Sequence, residues 1–459
     1  MKERRSTGTR KKKGKTVWEQ VNEHAAGVDA GAEHHWVAVP EYVEGERVRK
    51  FLTNTPGLRA LAEWLIRCEV TTVAVEATGV YCVPLLAILD EYGFEVVLAK
   101  PSSLKSVNDR RKTDMLDCQW IQLLHMFGLL RSSLRPAPEV AAYRTYNRHR
   151  QTLIVQAATE IEHMKKALTE MNVRLDQAVS DVTGQTGMRI IRAILDGERD
   201  PYALARMRDE RCAKSEASIA DDLTGKWSDA QLFVLSHAVA RWDQLQQLIR
   251  ECNQKLQAQA EVLGKKADRS TAPSPRRIEH VRKNVLTFDA RALFFEVLGQ
   301  DLTQIDGVSV GTISTFIAEV GTNVDAFEGV RNFTSWLRAC PGSNTSGGKN
   351  RSGKNRLTTN RLWLALRLAA QTLSRSRSAL GAFYRRLRAR LGPEKAINAA
   401  AHKIARMIYF TLKYNRPYID PGPDHYTEKY RARIIHSIER RARQLGYTLV
   451  KSASALPVS

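Results

Sequence analysis

Along the first third of the chain the apolar residues change period several times, and each change marks an element. The run AAGVDAGAEHHWVAVP rises through Val28 to Asp29 and turns. It then alternates Trp36 and Ala38 against Val37 and Val39, which predicts a β-hairpin with Asp29 ending its first strand. A strand is expected near Arg47 to Leu52 and a helix from Pro56 to Arg67. The Val/Thr-rich stretch VTTVAVEATGVY reads as a buried strand that ends at Glu76 and passes through Thr78 and Gly79 into an apolar helix over Leu85 to Leu89. Phe94 to Leu98 reads as a further strand. In DRRKTDMLDCQWIQLLHMFGLL the period becomes helical through Leu116, Trp120, Leu123, Leu124 and Phe127, so Asp114 and Asp117 share one face. Alternating strand and helix signals over residues 19–135 predict an α/β domain.

After RPAPEV the pattern is helical throughout. Ile154, Ala157, Ile161, Met164, Leu168, Met171, Leu175 and Ala178 step by three and four residues, the seam of a coiled coil. A second seam runs through Trp242, Leu245, Ile249, Cys252, Leu256 and Leu263, with Gln259 as its polar step. The two seams suit either an antiparallel hairpin or a junction between subunits. Gly184 and Gly187 are expected to end the first helix, and shorter helices follow to about Ser236. GKKADRSTAPSPRR is a polar linker. Beyond it, DLTQIDGVSVGTISTFIAEVG sets Gly307 and Gly311 between apolar helical runs, which suits a phosphate-binding helix-hairpin-helix or a plain packing turn.

Four acids stand at chemically telling places in this framework: Asp29 and Glu76 at strand ends, Asp114 and Asp117 on one helix face. A ribonuclease-H-like fold needs carboxylates at these positions. Two like charges about 4 Å apart repel by roughly 4 kcal/mol at an effective dielectric near 20, so such a cluster calls for protons or cations. Hard oxygen donors without His or Cys suit Mg²⁺ or Mn²⁺, and a pair of such ions stabilises the attacking and leaving oxygens at a phosphate. The alternative is four unrelated surface acids.

Charge points the same way. Lys and Arg number 71 against 49 Asp and Glu, a net +22. From Arg331 to Arg416 there are nineteen Lys or Arg and one acid, Glu394, which predicts a polyanion partner at that segment. Phe333, Trp336, Trp363, Phe383, Tyr384, Tyr409 and Tyr414 are interleaved with the charge, either as core residues or as platforms for unpaired bases. The six cysteines show no metal-binding spacing and read as reduced core residues of a cytosolic protein. The opening MKERRSTGTRKKKGK is followed by polar TVWEQVNEH, which predicts a disordered basic arm and no signal peptide. No run of about 20 apolar residues is present, so no membrane span is expected.

The second site of interest is CPGSNTSGGKNRSGKNRLTTNRLWLALRLAAQ. A Gly/Ser/Asn-rich loop carrying Lys349, Arg351, Lys354 and Arg356 leads into an apolar-periodic helix near Thr359, with Arg361 at its start. Gly347 and Gly348 let backbone approach a phosphate beside Ser346, and the cations would favour an attacking hydroxyl. Ser352 in RSGKN is the rival nucleophile, and a loop that only binds phosphates is the plainer reading.

GVDAGA, VEATGVY, KTDMLDCQW, CPGSNTSGGK and RLWLALRLAAQ together resemble the DEDD transposases of bacterial insertion sequences, the insertion-sequence one-ten family. The resemblance runs from about Ala25 to Asp420. It implies a RuvC-like α/β domain over 19–135 after a basic arm (1–18), then a helical coiled-coil insertion over 136–264 and a linker over 265–299. A mainly helical transposase domain with a serine loop would occupy 300–423, before a basic helical tail over 424–459. It also implies Mg²⁺ on Asp29, Glu76, Asp114 and Asp117, and Ser346 as a nucleophile forming a phosphoserine linkage to DNA in a composite site. Donor and target DNA, an element-encoded guide (bridge) RNA, a homodimer or tetramer, and a cytoplasmic, nucleoid-associated location follow from the same resemblance. Two other readings fit the residues: a RuvC-like junction endonuclease that uses water, and a non-catalytic nucleic-acid-binding protein.

Overall fold

The computed structural model describes residues 19–76, 79–99, 113–130, 132–212, 214–275, 284–339, 344–346, 349–351 and 360–450. The expected basic arm and the rival Ser352 therefore lie outside the described residues, as do Lys354 and Arg356. The chain divides into two units, Met1–Arg135 and Pro136–Ser459.

The first unit is built on five strands, β1 (Ala25–Ala30), β2 (His34–Ala38), β3 (Val48–Leu52), β4 (Thr72–Glu76) and β5 (Glu95–Ala99), in the order β3-β2-β1-β4-β5. β1, β2 and β3 pair antiparallel, whereas β1–β4 and β4–β5 pair parallel. Helices α1 (Thr55–Arg67), α2 (Cys82–Glu91) and α3 (Asp114–Met126) complete it. This mixed order is that of the ribonuclease-H-like fold expected from the sequence.

Alternation along the strands sorts residues to the two faces. Ala26, Val28, Ala30, Val37, Val73 and Val75 share one apolar core with Leu58, Leu61 and Leu65 of α1 and Leu85 and Leu89 of α2. Ala25, Gly27, Asp29, Thr72, Ala74 and Glu76 take the opposite parity, toward α3, which packs on β1, β2 and β4. The sheet-facing stripe of α3 is Cys118, Ile121, Gln122, Leu124 and His125, not the expected Leu116, Trp120 and Leu123, of which Leu123 is exposed. Gln122 and His125 are buried because each finds a strand partner. Gln122 Nε2 donates to Ala25 O (3.1 Å), and His125 Nε2 lies 2.9 Å from the Thr72 hydroxyl.

In the second unit α4 (Pro138–Glu170) leads through short helices α5 (Leu175–Ala178), α6 (Gln185–Leu195), α7 (Pro201–Ala205) and α8 (Glu216–Leu223) to α9 (Asp229–Val262). α4 and α9 run antiparallel: Gln259 Nε2 donates to Glu139 O, Arg150 Nε to Asn253 Oδ1 (2.6 Å), and Arg241 pairs with Glu160 (2.8 Å). The hairpin alternative is thus the observed one. Of the expected seam, Ala157, Met164 and Leu168 are buried, and half-buried Ile154 packs against Leu153, Ala157, Ile249 and Cys252. Buried Asn147, Arg150 and Glu160 add polar positions to the interior that the apolar pattern did not show. The first helix also ends earlier than expected. Asn172 adopts a left-handed φ of 57° after Glu170, while Gly184 precedes α6 and Gly187 lies within it. The apolar period survives the break because Met171, Val173, Leu175 and Ala178 enter a common core with α6, α8 and the start of α9.

The remaining helices are α10 (Ala290–Leu298), α11 (Val310–Glu319), α12 (Val330–Trp336), α13 (Arg361–Thr372), α14 (Ala379–Leu391), α15 (Pro393–Lys413) and α16 (Gly422–Gln444). α11 is locked to α4 by the Tyr143 and Ser314 hydroxyls (2.7 Å), by Ser314 donating to Asn147 Oδ1 (2.9 Å), and by the Arg148–Glu319 ion pair (2.6 Å). Gly307 takes a φ of 86°, and a Cβ there would meet Ala369 O of α13 at 2.5 Å. Close packing on α13 explains that glycine. Between α12 and α13 a short ribbon pairs β6 (Asn344–Ser346) with β7 (Lys349–Arg351), a feature the loop reading did not anticipate.

Candidate active site

α3 begins where it does because Thr113 caps it, its hydroxyl accepting from Leu116 N (3.3 Å). Asp114 and Asp117 therefore fall in the first turn, where the unpaired N–H groups and the helix dipole favour negative charge. The C-terminal end of α3 is tied to the strand starts, with Val21 N and Asn22 N donating to Met126 O and His125 bonded to Thr72. α3 thus runs against β1 and β4, and its first turn arrives at their carboxyl ends, where Asp29 and Glu76 stand.

Gly27 makes this approach possible. A Cβ at that position would lie 2.2 Å from Gln122 N and 2.5 Å from Cys118 O, so any side chain would push α3 off the strand. Gly27→Ala is expected to cost about 1–3 kcal/mol or more, since the obstacle is backbone. A thermal melt with a fall of several degrees, together with loss of DNA cleavage, is the expected result. An unchanged melt would refute the close packing.

The four acids meet electrostatically at Asp29. Burial raises its carboxyl from the ordinary value to about 6, and the charges of Glu76, Asp114 and Asp117 push in the same direction. Beside it, burial carries the Cys118 thiol up to about 12, so Cys118 stays a neutral packing residue at neutral pH. The donor set is wholly oxygen, which fits a hard divalent cation, and a cation would relieve the repulsion gathered at Asp29. Among the described residues no three acidic, His or Cys side chains stand close enough to hold one ion in common. Asp114 is exposed on the first turn of α3, whereas Asp29, Glu76 and Asp117 are half-buried.

For the serine loop the backbone gives the register. Ser346 ends β6 opposite Lys349, with Arg351 opposite Asn344; Gly347 and Gly348, the two residues between the strands, lie outside the described residues. α13 starts at Arg361, two residues later than expected, because Asn360 Oδ1 caps it by accepting from Trp363 N (3.0 Å). Sequence reasoning missed Thr113, Gly27 and Gln122 as positioning residues. A glycine inside an otherwise apolar strand is the signal that marks Gly27.

Two transposase family models match the chain. One, described as a DEDD transposase of the IS110 type, covers residues 26–173, and the other, described as transposase of the IS116/IS110/IS902 family, covers residues 299–385. The chain belongs to the DEDD transposases of the IS110 family. The transposase is accordingly an enzyme of DNA transposition and recombination. No curated protein matches it. Among solved structures a similar chain is the T. thermophilus RuvC in complex with Holliday junction substrate, at 18% identity and a TM-score of 0.19, covering 24% of the transposase and 98% of that chain. Among the described residues of the transposase no helix is long and apolar enough to cross a membrane.

Proposed function

We propose that the transposase excises and inserts a mobile element by phosphoryl transfer on DNA, with Asp29, Glu76, Asp114 and Asp117 as metal ligands and Ser346 as nucleophile. The reading rests on β1, β4 and α3 carrying four acids to one end of the sheet, where the charges of Glu76, Asp114 and Asp117 all act on the half-buried Asp29 carboxyl. Mg²⁺ or Mn²⁺ would supply charge neutralisation at the attacking and leaving oxygens. Asp29 on β1 and Glu76 at the end of β4 tie the cluster to the sheet. Asp114 and Asp117 approach from the exposed side on one helical turn.

Ser346 Oγ attacks the phosphorus of a DNA phosphodiester. A new P–O bond forms as one ester P–O bond breaks, and the serine proton ends on the freed DNA hydroxyl. The phosphoserine ester keeps the energy of the broken bond, so a hydroxyl from another strand displaces the serine and rejoins the DNA without an outside energy source. Lys349, Arg351, Lys354, Arg356 and Arg361 hold the flanking phosphates. The guide RNA, the homodimeric or tetrameric assembly and the location at the nucleoid belong to this proposal through the family resemblance.

Purified transposase incubated with element-end DNA and Mg²⁺, then denatured, should carry a covalent DNA adduct that mass spectrometry places on Ser346. Strand cleavage without an adduct would replace serine by water as the nucleophile. If the segment 331–416 contacts about 6–10 phosphates, DNA affinity should fall roughly 10³–10⁵-fold between 50 and 200 mM salt. A flat salt response in an anisotropy titration would remove that segment from the interface.

A further inference from the structure

The fold grades the aromatic residues of the basic segment by exposure, with Trp336 and Phe383 half-buried. Phe333, Trp363, Tyr384 and Tyr409 are buried, whereas Phe410 is 37% and Tyr414 63% exposed. α15 explains the difference. Its inward face is Ala396, Ala400, Ala401, Ile404, Ala405, Ile408 and Tyr409, packed on α13 and α14. On the outward side Lys403, Arg406, Phe410 and Tyr414 follow at steps of three and four residues and so form one ridge.

Contacts along this ridge are ordered. The Phe410 and Tyr414 rings lie 6.0 Å apart and only 15° from parallel. The Arg406 guanidinium carbon sits 5.9 Å from the Phe410 centroid, and Lys403 Nζ lies 4.2 Å over the ring of Phe383 on α14. The sole acid of α15 is Glu394, in its first turn. The ridge lies beyond residue 385, where the second family match ends.

We propose that this ridge binds an unpaired DNA strand, with bases stacked on Phe410 and Tyr414 and phosphates on Arg406 and Lys403. A polyanion is the partner because the surrounding segment has nineteen cations and one acid. An unpaired strand is favoured over a duplex because a duplex hides its base faces, and exposed rings then contribute nothing that more cations would not. Aligned rings beside cations instead match both parts of a single strand, its π-faces and its phosphates. DNA is favoured over RNA because DNA is what this enzyme family acts on. The inference depends on neither the carboxylates nor Ser346, since binding of this kind requires no metal and no bond cleavage.

The test is anisotropy of the full chain in EDTA with labelled oligothymidylate, oligouridylate and a mixed-sequence DNA duplex. Phe410→Ala with Tyr414→Ala should weaken oligothymidylate binding roughly tenfold or more, the loss of at least one stacked base, and duplex binding by less than about twofold. Phe410→Tyr and Tyr414→Phe should bind as the unaltered protein does, because both keep a ring. Arg406→Ala should lower the salt slope by about one. An equal loss on strand and duplex, or no loss on the strand, would overturn the proposal. A larger loss on oligouridylate than on oligothymidylate would also overturn it and assign the ridge to RNA.

Discussion

Asp29→Asn should raise the melting temperature of the metal-free transposase near neutral pH while lowering strand cleavage on the order of 10³-fold or more. The stability half of this prediction follows from a carboxyl lifted to about 6 by burial and by three neighbouring negative charges. With its folded value above the unfolded one, the folded protein binds the Asp29 proton more tightly. The stability tied to that proton is fully present below the unfolded value near 4. It is lost as pH rises through about 6, and above that range the ionised cluster burdens the fold. Asparagine has nearly the same shape and no charge, so the mutant lacks the decline. Melts in EDTA across pH 4 to 8 should show the two proteins converging at the acid end and the mutant ahead at the neutral end. Mg²⁺ should raise the unaltered protein toward or beyond the mutant. A mutant less stable throughout would mean that Asp29 serves the fold rather than a cation. The cleavage half follows because asparagine cannot neutralise a metal ion, and transition-state charge stabilisation of this kind is worth several kcal/mol.

Ser346→Ala should abolish circular-junction formation by the excised element, read by PCR in cells carrying the element, while DNA affinity stays within about twofold. Removing one hydroxyl takes away the only atom that forms the proposed covalent bond. The cations that bind phosphate are untouched, so binding and chemistry separate. Ser352→Ala serves as the paired control, and its expected phenotype is a retained junction. Junctions at the normal level from a stably expressed Ser346→Ala would exclude that serine, and loss with Ser352→Ala alone would move the nucleophile six residues along the chain.

What could be read without coordinates was whatever local pattern controls. The strand ends at Asp29 and Glu76 follow from apolar runs that stop at an acid, and the helix carrying Asp114 and Asp117 follows from its apolar period. In α3 and α4 alike the buried face includes polar residues that the apolar period does not mark. In α3 the buried stripe contains Gln122 and His125, and in α4 it contains Asn147, Arg150 and Glu160. A hydrophobic-period reading passes over such residues, and in α3 it steps to the exposed neighbour Leu123 instead. Their burial depends on partners far away in sequence, such as Ala25 for Gln122 and Asn253 for Arg150. The break at Asn172 was hidden for the complementary reason, since apolar residues on both sides of it enter one core. Ser346 could be named from its glycines, but the β6–β7 register rests on backbone pairing that so polar a sequence does not announce.

The buried polar residues between α4 and α9 also constrain how this architecture can change in length. Arg150 donates at once to Asn253 and to the carbonyls of Asn284 and Val285, and Glu160 meets Arg241 ten residues further along α4. These tie-points act as graduation marks on a ruler about 15 Å apart along the helix. Sliding one helix past the other by a turn would leave a guanidinium and a carboxylate facing apolar surface, a mismatch of several kcal/mol. Relatives with a longer or shorter arm should therefore differ by matched insertions in both helices, in multiples of about seven residues, and an arm lengthened on one side alone should fail to assemble.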